Sequence, residues 1–343
     1  MFKKNFSPKR RFLSGLFGGR KGLRISVGNP TSIVCIELMQ KTGIHFPEAH
    51  LDAKLMAELA AAGHEILDYD TVMPEFSVQQ EAAALGCEVN WGNDNMMPEA
   101  KTHPVKELKD IIIPDNILEK PSIKVVLDAI SILRKEYGDH IAILGKVMGP
   151  WTISYHLVGT QEFLTWVILA QDKIRRFLDV LKEVTIIFGK AQMQAGADAI
   201  TLADHATGDL VRPETYRDFL IPIHQEIIRR IGAPIILHIC GNCIDRLRYF
   251  VEAGFDAYHF EWQVDAQKAV KIVNGEMSLI GNINNAKTLY NGKPEDVYAQ
   301  AKYSIKAGVN ILAPECCIPL QTPLRNLKAI VEAAKDGYRE TDR

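Results

Sequence analysis

Short apolar runs punctuate the chain, and each is followed by a turn and a longer amphipathic stretch. The runs are LRISV near residue 23, EILDYDTVM near 65, IAILGKVM at 141, ADAITLAD at 197, PIILHIC at 234, AYHFEW at 257, MSLIGNI at 277 and VNILAPE at 309. Between them, IKVVLDAISILRKEYG, FLTWVILAQDKIRRFLDVLKEVTIIFGKAQMQ, PETYRDFLIPIHQEIIRRIG and PEDVYAQAKYSIKAG repeat their apolar positions at a helical period, several ending at glycine. Eight strands alternating with helices predict a parallel (β/α)8 TIM barrel, with residues 1–343 forming one domain.

Two stretches depart from the alternation. The start, KKNFSPKRRFLSGLFGGR, reads as a helix capped near Ser7 and Pro8 with its lysines and arginines on a wet face, making 1–22 an N-terminal helical extension. Residues 74–120, with WGNDNMMPEAKTHP in the middle, are rich in turn formers and fit no single βα unit. They read as an insertion that covers part of the barrel mouth, or as a linker.

Composition narrows the picture. Forty Lys plus Arg against 42 Asp plus Glu leave a net charge of −2, without the positive excess that a phosphate backbone demands, so nucleic acid is not an expected partner. No apolar run approaches the roughly 20 residues that span a bilayer, and the basic start has too short an apolar segment for a secretory signal, so a cytoplasmic location is expected. Six cysteines in 343 residues are too sparse for a disulfide scaffold and fit reduced, buried or metal-bound thiols.

Active sites of such barrels lie at the carboxyl ends of the strands. Asn29 follows the first strand, Asp204 and His205 the fourth; His238 and Cys240 end the fifth, Glu261 the sixth and Asn282 the seventh, and Cys316 and Cys317 follow the eighth. His238 and Cys240 are two apart on a strand, so their side chains leave the same face, and barrel closure returns the Cys316–Cys317 pair to that rim. One His and two Cys with a fourth position open is the pattern of a catalytic zinc site. Adjacent cysteines diverge, so only one of Cys316 and Cys317 is expected to join it.

The remaining candidates carry open alternatives. Cys243 completes a C-x-x-C with Cys240 but falls where Gly241 and Asn242 read as the turn and N-cap of the helix IDRLRYFVEAG, in its first turn; Cys35 and Cys87 read as core. Glu261 is a fourth ligand displaced by substrate, a general base, or the partner of a cation. Asp204 contacts substrate or cofactor, or caps a helix or loop. Asn29 and Asn282 are candidates for holding a cofactor at the rim.

At these residues the chain resembles the uroporphyrinogen decarboxylase superfamily, and within it the methylcobamide:coenzyme M methyltransferases. The resemblance rests on SPKRRFLSGLFGG, AGADAITLADHATGDLVRPETYRDFLIP, LHICG, LIGNI and NILAPECCIPLQTPLRNLKA, and covers nearly the whole chain. It implies a (β/α)8 barrel with zinc on His238, Cys240 and Cys316, thereby selecting Cys316 over Cys317, and Glu261 where a further ligand can stand. It also implies methyl transfer from a methylcorrinoid to a thiol such as coenzyme M. No corrinoid-binding D-x-H-x-x-G stretch is present, so the corrinoid is expected on a separate carrier protein. Transfer from a methyl donor to the corrinoid, or decarboxylation of a uroporphyrinogen-like substrate, are the alternatives that the resemblance leaves. The chain departs from the pattern at MGPWT, where Met148 stands in place of an expected acidic residue, and in its extra thiols Cys243 and Cys317.

Overall fold

The computed structural model describes residues 6–19 and 24–341, with side chains to residue 336. Eight parallel strands form the predicted barrel: β1 (Ser26–Val27), β2 (Thr71–Val72), β3 (Ala142–Met148), β4 (Ala199–Ala203), β5 (Ile235–His238), β6 (Ala257–Phe260), β7 (Ser278–Ile283) and β8 (Ile311–Pro314). They pair in the order β1-β8-β7-β6-β5-β4-β3-β2. The period of two sorts their residues. On β3, Ala142 and Leu144 belong to the barrel interior with Ala199, Ile236, Ala257, Ile280 and Ile311, whereas Ile143 and Val147 pack outward among the helices.

The gap between β1 and β2 is bridged chiefly by Asp70, with Asn29 N–H also donating to Thr71 Oγ1 at 3.2 Å. Asp70 is fully buried; its backbone N–H donates to the Val27 carbonyl at 2.7 Å, and its carboxylate accepts from Val27 N–H at 3.1 Å and Ser26 Oγ at 2.8 Å. Arg11 and Arg24 reach the other carboxylate oxygen at 2.6 and 3.1 Å. Arg11 is therefore not on a wet face as the helical pattern suggested; it leaves the N-terminal helix (Pro8–Leu16, capped by Ser7) to pair beneath the barrel. Phe12 and Leu16 of that helix are buried in the interior cluster and close the amino-terminal end. Of the 1–22 extension, residues 1–5 and 20–22 lie outside the described residues.

Three sequence readings shift in detail. EI of EILDYDTVM belongs to the end of helix Ala53–Glu65 and its C-cap, because the alanine-rich helix runs on, and β2 is only Thr71–Val72. The long pattern beginning at FLTWVILA splits into helices Thr160–Leu169 and Gln171–Ala195, with Ala170 outside helical geometry. PETYRDFLIPIHQ contains a π-helical turn at Tyr216–Leu220 before helix Ile221–Ile231. The 74–120 segment holds a short helix, Gln80–Ala84, and a hairpin pairing Val89–Asn90 with Glu99–Ala100. No helix among the described residues is long and apolar enough to cross a membrane.

Candidate metal centre

His238 is the last residue of β5, Cys240 follows two positions later, and Cys316 lies two positions beyond β8. The barrel brings their donor atoms together: His238 Nε2 to Cys240 Sγ is 3.1 Å, Cys240 Sγ to Cys316 Sγ 3.3 Å, and Cys316 Sγ to His238 Nε2 3.3 Å. A sulfur separation of 3.3 Å is far beyond a disulfide bond, and both thiols are free.

The histidine is set in one tautomer. His238 Nδ1–H faces the His259 carbonyl at 3.3 Å, and because a carbonyl only accepts, Nε2 keeps its lone pair toward the two thiols. His259, tilted by 33° against it with ring centroids 4.7 Å apart, is itself held by the Pro314 carbonyl at 2.7 Å. Burial, and then the neighbouring His259 and His205, keep the His238 pKa well below its ordinary value, so the ring is neutral.

The thiols behave oppositely. The hydrogen bond with Cys316 draws Cys240 down, while burial and the adjacent Glu261 push it up and prevail. That same hydrogen bond, with burial, drives Cys316 well above a normal thiol. Both stay protonated unless a positive charge sits between them. Four-coordinate zinc, with bonds of about 2.0–2.3 Å, holds such donors about 3.5–3.8 Å apart, so the triangle fits after outward shifts of a few tenths of an ångström. A neutral imidazole and two cysteine sulfurs are donors that zinc favours.

Glu261 lies outside the three-donor cluster and flanks Cys240. Cys317 lines a cavity with the three donors but lies outside their cluster, its Sγ donating to the Thr31 carbonyl at 3.0 Å. Cys243 immediately precedes a 3-10 turn, Ile244–Arg246, rather than lying within the helix, and its Sγ faces the Cys240 carbonyl at 3.7 Å. Gly241 makes the turn between these cysteines at φ 82°, with Asp209 and Thr207 filling the space a Cβ would need.

Other strand-end residues are occupied in holding the rim. Asp204 Oδ1 accepts from the Thr152 N–H at 2.8 Å, capping the helix that begins at Pro150, and Oδ2 accepts from His224 Nε2–H at 2.9 Å. Its approach requires Gly149, where a Cβ would stand 2.2 Å from the Asp204 carboxyl carbon. Asn29 donates to the Ser32 and Cys316 carbonyls at 2.6 and 3.3 Å. Asn282 donates to the Val264 carbonyl and accepts from Ser304 Oγ, both at 3.1 Å.

This cavity, of about 420 Å³, is lined by His238, Cys240 and Cys316 together with Ala100 and His103 of the 74–120 segment. Lys146 and Gln79 also line it, and neither was singled out from the sequence; the signal was a lone charge in the apolar run IAILGKVM. Beside Lys146 lies Glu81, fully buried, whose pKa burial raises to about 7. Unfolding returns this carboxyl to its ordinary value, so the stability it permits is present in acid and lost as pH rises toward and through 7. Glu81→Gln is expected to match the parent at pH 4 and to exceed it by about 3 kcal/mol at pH 8 in urea unfolding; parallel pH curves would refute this.

Comparisons with known proteins agree with this architecture. The Uroporphyrinogen decarboxylase (URO-D) family matches residues 24–337. The chain is 34% identical to the methylated-thiol–coenzyme M methyltransferase of Methanosarcina mazei over 96% of its own length and 89% of that protein. It is also 34% identical to the methylcobamide:CoM methyltransferase MtaA of Methanosarcina barkeri, over 97% and 98% of the two chains. A solved structure described as a methyltransferase from Methanosarcina mazei superposes with a TM-score of 0.94, covering 97% of this chain and all of that one at 34% identity. With the barrel and these similarities in agreement over nearly the whole length, the chain belongs to the uroporphyrinogen decarboxylase family.

Proposed function

We propose that this protein is a zinc-dependent methyltransferase that moves a methyl group from a methylcorrinoid on a separate carrier protein to a small thiol such as coenzyme M. The observation that carries the reading is the meeting of His238, Cys240 and Cys316 donors in the lining of a cavity. The similarity to proteins named as methylcobamide:CoM methyltransferases supplies the reaction class.

Zinc bound by these three residues would supply the positive charge that keeps a substrate thiol deprotonated at neutral pH. The chain's own residues then do the rest. Two cysteine thiolates balance the ion, leaving the substrate sulfur its nucleophilicity, and His259 fixes the imidazole that completes the set. Glu261, beside Cys240, receives the proton that the thiol gives up. Asp204, Asn29 and Asn282 act as positioning residues for the rim. The thiolate attacks the methyl carbon in line; the sulfur–carbon bond forms as the carbon–cobalt bond breaks, and both electrons of that bond remain on cobalt. A cavity of this size suits a small molecule, so the corrinoid has to meet the thiol from the mouth.

Incubating the zinc-loaded protein with methylcobalamin and 2-mercaptoethanesulfonate is expected to convert the methylcobalamin spectrum to that of demethylated corrinoid, dependent on both zinc and thiol. An unchanged spectrum with zinc bound, across a panel of small thiols, would overturn the assignment of direction.

A further inference from the structure

Lys146 is 1% exposed, on the interior face of β3, and its ammonium donates to the Glu75 carbonyl at 2.8 Å. Among the described residues no carboxylate forms an ion pair with it. The acids around it are poor counter-ions. Glu75 is completely buried with neither carboxyl oxygen hydrogen-bonded, and burial drives its pKa well above the usual range; Glu81 lies at about 7. His50, also within reach of the Lys146 charge, is held neutral, with its pKa near 3 and both ring nitrogens unpartnered. Gln79, which is 5% exposed and lines the same cavity, has an amide oxygen without a partner.

A buried charge without a counter-ion is costly, so a site that keeps one requires the opposite charge from elsewhere. The Lys146 charge is felt at His238 and at Cys317, so its cavity and the metal cluster are one compartment. Resting on the thiol methyltransferase reading, we propose that Lys146 is the specificity-determining residue for the thiol: it pairs with an acidic group at the far end of a short alkanethiol, a sulfonate or a carboxylate, while the sulfur faces His238, Cys240 and Cys316. Neutral and cationic thiols leave the ammonium unpaired and are poor substrates.

The test uses zinc-loaded protein, methylcobalamin, and four thiols: 2-mercaptoethanesulfonate, 3-mercaptopropionate, 2-mercaptoethanol and cysteamine. In Lys146→Met, kcat/KM for the two anionic thiols falls about a hundredfold, chiefly through KM, and that for 2-mercaptoethanol is unchanged. Lys146→Gln, which can still donate to a carbonyl, behaves as the Met variant because the charge is what matters. An equal fall for all four thiols, or none for the anionic pair, overturns the proposal. Calorimetry with ethanesulfonate, which has no thiol, reads the same claim without methyl chemistry: it binds the parent and not the variants. If no thiol is methylated by the parent, the methyltransferase reading fails, and the ethanesulfonate titration alone decides whether Lys146 holds an anion. Binding unaffected by either substitution overturns the role of Lys146.

Discussion

Cys240→Ala is expected to lose bound metal and thiol methylation together. Cys240 is one corner of the donor triangle, with His238 Nε2 at 3.1 Å and Cys316 Sγ at 3.3 Å, so its removal leaves one sulfur and one nitrogen. Two donors do not make a zinc site of the three-ligand type, and the substrate thiol reverts to its protonated form. The loss should exceed the roughly 10- to 100-fold that removing a supporting partner costs at metal sites. Zinc content by atomic emission and methylcobalamin demethylation are the two measurements. Cys243→Ala is the matched control: its sulfur faces a backbone carbonyl, and both zinc and activity should persist. A Cys240→Ala protein that keeps stoichiometric zinc and full turnover would remove the cluster from the mechanism.

Asp70→Ala is expected to produce the largest loss of stability, about 3–5 kcal/mol. One carboxylate serves two guanidinium groups, a hydroxyl and the Val27 N–H while being itself completely buried. Truncation leaves Arg11 without its charge partner and Arg24 with only Asp68, at 3.9 Å, and weakens the seam between β1 and β2, where no strand ladder holds the barrel together. Guanidinium unfolding monitored by circular dichroism reads the effect, and a change below about 1 kcal/mol would show that the seam is held by packing alone.

The barrel was legible because each strand is a compact apolar run between turn formers, and the cluster was legible because an H-x-C on a strand points both side chains one way. What closure adds, Cys316 opposite Cys240, follows from topology. Less was visible where a residue's partner comes from a distant element. Asp204 reads in sequence as a polar strand end; only the helix at Pro150 and His224 of the helix Ile221–Ile231 show that its two oxygens are engaged. Arg11 looked solvated because helical periodicity says nothing of an acid near residue 70. The break at Ala170 has no glycine or proline to announce it, and the excursion from 74 to 120 follows no period at all.

The N-terminal helix has a kinetic consequence. With Phe12 and Leu16 filling the amino-terminal end of the barrel beneath packed interior side chains, the door of the compartment is at the mouth. In the proposed reaction a carrier protein presenting its corrinoid covers that door. The thiol must therefore enter before the carrier docks, and the thioether can leave only after it departs. Such a geometry imposes a compulsory order in which the small molecule is first in and last out, and in which excess carrier slows turnover by sealing the empty or product-filled barrel.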